Sequence, residues 1–488
     1  MRSAERRPAR IVIGGALDAR LRTWLTSHPE GHERGAFVFF KKVDRDVQGL
    51  ERSPRYIAVD AVELDDRWVE DSSPIHLRFS LRRLAELSFR CEQEQLELGF
   101  VHSHPDGAPK FSSKDDSNER AILRGHAGAS GDSVDLVALI LCHGQWLGRV
   151  RHAAAPDLAV PARHVLVLSD KMSLWTGQQP MDDEGSLARQ AAAFGQPFNR
   201  KLRSLRAVVV GLGGTGSPMA TLLARCGVGE LVLIDGDRLE VTNLNRVRGY
   251  RRCDVAEHKA VSLAAYIRSL ELGCRVAYLP EFIDVSPAAI DAIATADVVF
   301  GCTDDVAGRD ILNQSLYYYA LPLIDVGLTG IVAEAADGMP YLRDHRGRIS
   351  TVLPEAGACL RCQGVVTEEK LKAERAFKAR PELAQLDPET LKREYYLVGG
   401  HESAPGIGPF TSATADHAAA GFMNLIQPFR KLGDELRQDN IWIDFVHLGI
   451  YSNEPRGSAS CFCCGADGLR AGSEGPYRLS MPKLGRAP

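Results

Sequence analysis

Residues 207–216 read AVVVGLGGTG, and this stretch decides the fold of the C-terminal half. Ala207–Val210 is a short apolar run of the kind that forms a buried strand. Gly211, Gly213 and Gly216, with Gly214 between them, then spell G-x-G-x-x-G before a helical apolar pattern. Such glycines permit a tight turn and let a phosphate approach the N-terminus of the next helix. The following strand, LVLID, ends at Asp235, 19 residues after Gly216. A carboxylate there is placed to bind ribose hydroxyls. Strands and helices alternate to about residue 327, which predicts an α/β, Rossmann-like parallel sheet with crossover helices. Alone, the fingerprint favours a dinucleotide, and an NAD-dependent enzyme is its natural rival.

The residues beyond it argue for ATP. Asn243-Leu244-Asn245-Arg246 follows, then Lys259, then Cys302-Thr303-Asp304-Asp305 and Arg309. Cations around a triphosphate and a carboxylate for magnesium are what adenylation needs. Each residue alone reads as a solvated charge; their joint order does not. That order is similar to the ThiF/MoeB and ubiquitin-activating enzyme superfamily, over roughly residues 186–470. The resemblance implies adenylation of the C-terminal glycine carboxylate of a ubiquitin-like protein with a Gly-Gly-type end. It implies that the glycine loop and Asp235 bind ATP, Arg246 and Lys259 hold its phosphates, Asn243 helps position it, and Asp304 holds magnesium. Arg189 matches an arginine that reaches the partner protomer's ATP, which implies a homodimer. Cys359/Cys362 and Cys461/Cys464 match the halves of the family's structural zinc site. Cys463 is left over, as an alternative ligand to Cys464, a buried thiol or a reactive one.

The N-terminal half carries a second constellation, HSHPDGAPKFSSKDD from His102. Leu96, Leu98 and Phe100 alternate before it, so period-two geometry puts the His102 and His104 imidazoles on one strand face. Asp115 follows a Ser-Ser pair that suits a helix cap. Two histidines and one carboxylate leave the fourth zinc position open, as catalytic sites do. The string resembles the JAMM motif of MPN/JAB zinc metallopeptidases. The resemblance implies an MPN-type α/β metallopeptidase domain with His102, His104 and Asp115 as zinc ligands. It implies Glu33, before Gly35 and an apolar strand, as general base, and Ser112 as a group that helps hold the oxyanion. Glu30 is the alternative base.

The chain has 488 residues, enough for two or three domains. Apolar residues make up 44% and charged ones 25%, as in soluble globular proteins. Net charge is −4, which argues against a nucleic-acid partner or an anionic membrane. No apolar run reaches the roughly 18–20 residues of a spanning helix. The basic, then briefly apolar, N-terminus is interrupted by Gly14 and Gly15 and reads as a first strand or turn. A cytoplasmic enzyme is the default. Paired cysteines in such a chain suggest metal more than disulfides.

The expected organisation is a metallopeptidase-like domain at 1–155, a linker at 156–185, an adenylation domain at 186–470 and a tail at 471–488. The expected function is a bifunctional enzyme of a bacterial-type ubiquitin-like modifier pathway. It would hydrolyse after the modifier's tail with zinc and adenylate the exposed carboxylate with ATP and magnesium; a conjugating enzyme is a further partner. No cysteine lies between Cys362 and Cys461, where relatives that form a thioester carry theirs. The alternative is therefore activation for sulfur transfer, through a thiocarboxylate, in cysteine or cofactor synthesis. Ser403, Thr411 and Ser412 are oxyester candidates, each more often a loop hydrogen-bonder or helix cap.

Overall fold

The computed structural model describes residues 8–177, 185–386, 390–392, 406–431, 439–453, 455–465, 468 and 470–471. The expected C-terminal tail lies almost wholly outside these residues, as does Ser403. The chain divides into two compact units, Met1–Asp46 with Glu51–Asp182, and Asp183–Pro488 with Val47–Leu50. Among the described residues no helix is long and apolar enough to cross a membrane.

The N-terminal unit runs β1 (Arg10–Gly14), α1 (Gly15–Thr26), β2 (Gly35–Val43), β3 (Arg55–Glu63), β4 (Val69–Ser73), β5 (His76–Phe79), α2 (Leu84–Glu94), β6 (Glu97–Ser103) and α3 (Ser113–Ser130). It continues with β7 (Asp135–Cys142), β8 (Gln145–His152), β9 (Ala159–Pro161), β10 (His164–Leu168) and β11 (Met172–Thr176). Nine strands form one sheet in the order β11-β10-β1-β3-β2-β6-β7-β8-β9, while β4 and β5 pair as a separate ribbon. Strand periodicity builds the layers. Val38 and Phe40 of β2 pack in a cluster with Leu21 and Leu25 of α1. Phe37 and Phe39 pack on the other side, with Leu84 and Leu87 of α2 and Ile122 and Leu123 of α3. Leu98 and Phe100 of β6 share that second cluster. His102, two residues on, therefore emerges on the α3 side of the sheet.

The expected linker at 156–185 is corrected. Its stretch contains β9, β10 and β11, and the first unit reaches Asp182. The Pro156 and Pro161 punctuation suggested a loop. Yet His164–Leu168 is fully buried, between a parallel β1 and an antiparallel β11. Sheet pairing, which local composition does not encode, decided the matter.

The C-terminal unit runs α4 (Ala188–Phe194), α5 (Gln196–Ser204), β12 (Arg206–Val210), α6 (Gly216–Arg225), β13 (Glu230–Ile234), α7 (Lys259–Ser269), β14 (Arg275–Leu279), α8 (Pro287–Ala294), β15 (Val298–Gly301) and α9 (Val306–Tyr318). It continues with β16 (Leu323–Glu334), β17 (Pro340–Val352), α10 (Glu368–Ala379), α11 (Gly408–Ile426), β18 (Asn440–Asp444) and β19 (Gly449–Ser452). The sheet order is β14-β13-β12-β15-β16-β17-β18-β19. The first five are parallel neighbours and the last three extend the sheet antiparallel. The parallel half is the expected α/β sheet. Strand order reverses between β12 and β15, and in such sheets ligands bind at the carboxyl ends beside that reversal.

At the start of β6 and β7, Glu97 and Asp135 share the Lys42 ammonium, at 3.6 and 2.6 Å. The Tyr56 hydroxyl donates to Asp135 at 2.5 Å. Burial first, then the Asp135 charge, pushes the Glu97 carboxyl up to about 7. A pKa raised above its unfolded value stabilises the fold below the unfolded pKa, and that stability fades as pH rises through the folded one. The melting temperature of the N-terminal unit is expected to fall between pH 5 and 8, by the equivalent of about 1–2 kcal/mol. Calorimetry of Glu97→Gln should show this slope flattened; an unchanged slope removes Glu97 as its source.

Candidate functional sites

The first site sits at the end of β6. Gly35 of β2 pairs in register with His102, which brings the Glu33 loop alongside. His102 Nε2 and His104 Nε2 lie 2.9 Å apart. Asp115 Oδ1 is 3.0 Å from His102 Nε2, and Asp115 Oδ2 is 3.6 Å from His104 Nε2. All three side chains are buried, and their ligand atoms lie within 4.8 Å of one another. Ser112 caps α3: its Oγ accepts from the Asp115 N–H at 3.2 Å, and Asp115 Oδ2 accepts from the Ser112 N–H at 2.6 Å. Asp115 therefore serves the helix end and the histidine pair together. The Ser112 hydroxyl accepts in this bond, so its own proton stays available to donate.

Electrostatics at the cluster are sharply divided. Burial opposes ionisation of Asp115, but both imidazoles and the Ser112 N–H outweigh it and hold the carboxyl far below its usual range. Burial lowers His104, yet Asp115 and Glu33 outweigh that too and raise it. Glu33 is 7% exposed. Burial is the main cause that lifts it to about 6, with His102 and His104 pulling the other way. Glu33, His102, His104, Ser112 and Asp115 line a cleft of about 540 Å³, together with Ile75 and Arg78 of the β4–β5 ribbon. The ribbon carried no sequence signal, because its place over the cleft is set by tertiary packing. Two imidazoles and a carboxylate converging in a buried cleft fit a divalent transition metal such as zinc. Glu30 is exposed and pairs with His32 at 3.3 Å, not with this cluster.

The second site lies at the strand-order reversal. Gly211 has φ of 83°, and a Cβ there would meet the Cys302 carbonyl oxygen at 2.6 Å. A Cβ on Gly216 would lie 1.8 Å from the Gly211 carbonyl oxygen, whereas nothing lies within 4 Å of one on Gly213. One on Gly214 would meet Thr411 Cγ2 at 2.9 Å. Asp235 is buried and accepts from the Leu212 N–H at 2.6 Å and the Asp237 N–H at 2.8 Å; burial raises its pKa. Lys259 begins α7, with Nζ 2.8 Å from Asp237. Arg246 Nη1 donates to the Thr242 carbonyl at 2.8 Å. Asn243 is buried, and its Oδ1 accepts from the Glu240 N–H at 3.1 Å, so it shapes this loop. Asp304 is exposed beyond β15, and its neighbour Asp305 caps α9. Arg189 stands exposed on α4, and among the described residues it makes no hydrogen bond to this group. A glycine turn leading into a helix start at the sheet's carboxyl edge fits a phosphate-bearing nucleotide.

The third cluster joins distant segments. Cys359, Cys362, Cys461 and Cys464 offer thiols all within 4.8 Å of one another. Cys359 and Cys461 Sγ are 3.6 Å apart, and Cys362 and Cys464 Sγ 3.5 Å. None forms a disulfide. Four convergent thiols are the donor set of a closed structural zinc site. Cys463 is 0% exposed and lies against Cys359, so it is a buried thiol beside the tetrad.

A parallel sheet with a glycine loop at its reversal point defines a nucleotide-binding α/β protein. The ThiF family's sequence model matches residues 187–441, more than half of the chain, and the chain belongs to that family. Curated relatives include the adenylyltransferase and sulfurtransferase uba4 of Aspergillus terreus, 38% identical over 132 residues, 27% of each chain. The SAMP-activating enzyme E1 of Haloferax volcanii is 35% identical over 162 residues, 33% of this chain and 54% of that one. The chain thus spans between about a quarter and about half of these relatives' length. Among solved structures, Escherichia coli MccB with MccA-N7isoASN has 19% identity and a TM-score of 0.44, over 58% of this chain and 75% of that one.

The glycine geometry makes a graded expectation. Gly216→Ala and Gly211→Ala should destabilise the C-terminal unit by about 2 kcal/mol or more, because backbone atoms must move. Gly213→Ala should stay within about 0.5 kcal/mol of the parent. Chemical denaturation of the three variants reads this order, and equal effects at all three would remove the close-approach argument.

Proposed function

We propose that the C-terminal unit adenylates the C-terminal carboxylate of a small ubiquitin-like protein. One observation carries the reading: in a ThiF-family chain, the glycine loop stands at the strand-order reversal and Asp235 of the neighbouring strand accepts from its Leu212 N–H. A tail carboxylate oxygen attacks the α-phosphorus of ATP. A new P–O bond forms, the bond to the β-phosphate oxygen breaks, and pyrophosphate leaves. Asp235 binds the ribose, Arg246 and Lys259 offset phosphate charge, and Asn243 keeps the Arg246 loop in shape. Asp304 would hold magnesium, which supplies charge neutralisation at the phosphates. Arg189 would act on the ATP of a second protomer in a homodimer.

Sulfur transfer is the step we place next: hydrosulfide attacks the acyl carbon, the C–O bond to AMP breaks, AMP leaves, and the tail ends as a thiocarboxylate. The names of the uba4 and MOCS3 relatives, adenylyltransferase and sulfurtransferase, support this order, as does the absence of a cysteine between Cys362 and Cys461. Conjugation to lysine is the second reading; the name of the SAMP-activating enzyme E1 supports the activation step that either outcome needs.

For the N-terminal unit we propose an MPN-type hydrolase that cuts after the same tail. A zinc ion held by His102, His104 and Asp115 would supply Lewis-acid polarisation of the scissile carbonyl. Glu33, buried beside the cluster, takes the proton of the attacking water and delivers it to the leaving amine. Ser112 donates its free hydroxyl proton to the developing oxyanion. The cysteine tetrad would hold a second, structural zinc.

Pyrophosphate exchange with Gly-Gly-ended candidate proteins tests the first activity. Asp304→Ala and Lys259→Ala should each lower it about 100-fold or more. Exchange that survives both sinks the assignment. Mass spectrometry of the product separates an oxygen-to-sulfur replacement at the C-terminus from attachment to lysine. Cleavage of a tail-extended precursor should need no ATP and should vanish in Glu33→Ala and His104→Ala; cleavage retained in both variants removes the hydrolase.

A further inference from the structure

Helix α3 presents Asp115, Glu119, Ile122, Leu123 and His126 on its buried face. Ile122 and Leu123 belong to the apolar core. Glu119 does not fit that company: it is a carboxylate 1% exposed, one turn beyond Asp115. Its Oε1 accepts from Arg149 Nε at 3.1 Å and Nη2 at 2.8 Å, and its Oε2 accepts from Arg151 Nε at 2.7 Å. Both arginines come from β8, and Arg151 is itself 1% exposed. Asp116 closes the group, accepting from Arg149 Nη2 at 2.9 Å and from Arg151. Arg151 Nη1 also donates to the Pro156 carbonyl at 2.8 Å. The Arg149 guanidinium lies 3.8 Å over the ring of Phe111, the residue before the cap.

Two cations and two carboxylates balance here, but buried ion groups are weak contributors to stability, since apolar replacements often do as well. What the group does provide is position. It grips α3 before the cap at Phe111, in the first turn at Asp116 and in the second at Glu119. Between those grips stand Ser112 and Asp115. Asp115 must meet the helix end and two imidazoles at once, and metal ligands tolerate only about 0.2 Å of displacement.

We propose that Glu119, Arg149 and Arg151 are positioning residues that set the register of Asp115 against His102 and His104, and so the affinity and coordination geometry of the N-terminal metal centre. This rests on the hydrolase reading above. The Glu119 carboxylate fixes the rotation of α3 about its axis. The two guanidinium planes fix its height above β8. Loss of either lets the first turn slide, so Asp115 keeps its cap bond and loses its alignment on the imidazoles.

The test uses the full chain, stripped with a chelator and titrated with zinc against a chromophoric competitor. The zinc lost in His104→Ala defines the N-terminal centre. Glu119→Gln and Arg149→Gln should weaken zinc at that centre about 10- to 100-fold, and cobalt substituted there should show altered visible absorption. Asp116→Asn, at a half-exposed position that tolerates change, should shift both readouts the same way by less, and it serves if a buried variant does not fold. Tyr56→Phe, which removes a buried hydrogen bond at the far end of the same sheet, should lower melting temperature and leave zinc affinity and the cobalt spectrum alone. Zinc affinities in Glu119→Gln and Asp116→Asn within about twofold of the parent, with unchanged cobalt spectra, overturn the proposal. A parent chain from which His104→Ala removes no zinc overturns the metal centre itself, a different result.

Discussion

The C-terminal unit depends on one close approach. The Gly211 carbonyl occupies the space where a side chain at 216 would begin, and the Cys302 carbonyl occupies the corresponding space at 211. Only with both side chains absent can β12 turn directly into α6, with the ends of β12 and β15 pressed together. Asp235 then reaches across from the neighbouring strand to take the Leu212 N–H. Strand order, loop and carboxylate are parts of one constraint. It sets the start of helix α6 at the sheet's carboxyl edge, where a phosphate binds well.

The N-terminal unit solves a different problem, that of holding two imidazoles and a carboxylate in a buried space. A strand supplies the first two at period two, and a helix end supplies the third. The capping box makes Asp115 pay twice, since the helix needs the same carboxylate as the histidines. Such sharing makes the cluster sensitive to how α3 is seated, and the salt-bridged group beneath it answers that sensitivity.

Much of this was legible in the sequence. Glycine spacing, an apolar run before it and a strand-terminal Asp235 gave the parallel sheet, because local backbone demands leave few other residues tolerable. His-x-His after an alternating strand placed His102 and His104 on one face for the same reason. Two C-x-x-C pairs suggested metal, and the family resemblance joined them as one site, the third cluster. What failed was decided by distant pairing. HVLVL at 164–168 looks like part of a linker until it slots beside β1. The antiparallel strands β17–β19, the ribbon over the cleft and the Glu119 group have no local signature. Charged residues such as Arg149 and Arg151 read as solvent-facing until their partners are known.

The cysteine tetrad draws together segments 102 residues apart. During synthesis, Cys359 and Cys362 leave the ribosome long before Cys461 and Cys464 do. An ion bound by all four would therefore be the last link made. It would close a loop that includes α11, the helix whose Thr411 packs against the glycine turn. Completion of the nucleotide site would thus wait on the second cysteine pair and on the supply of metal, so that a metal-starved chain stays unfinished rather than half active.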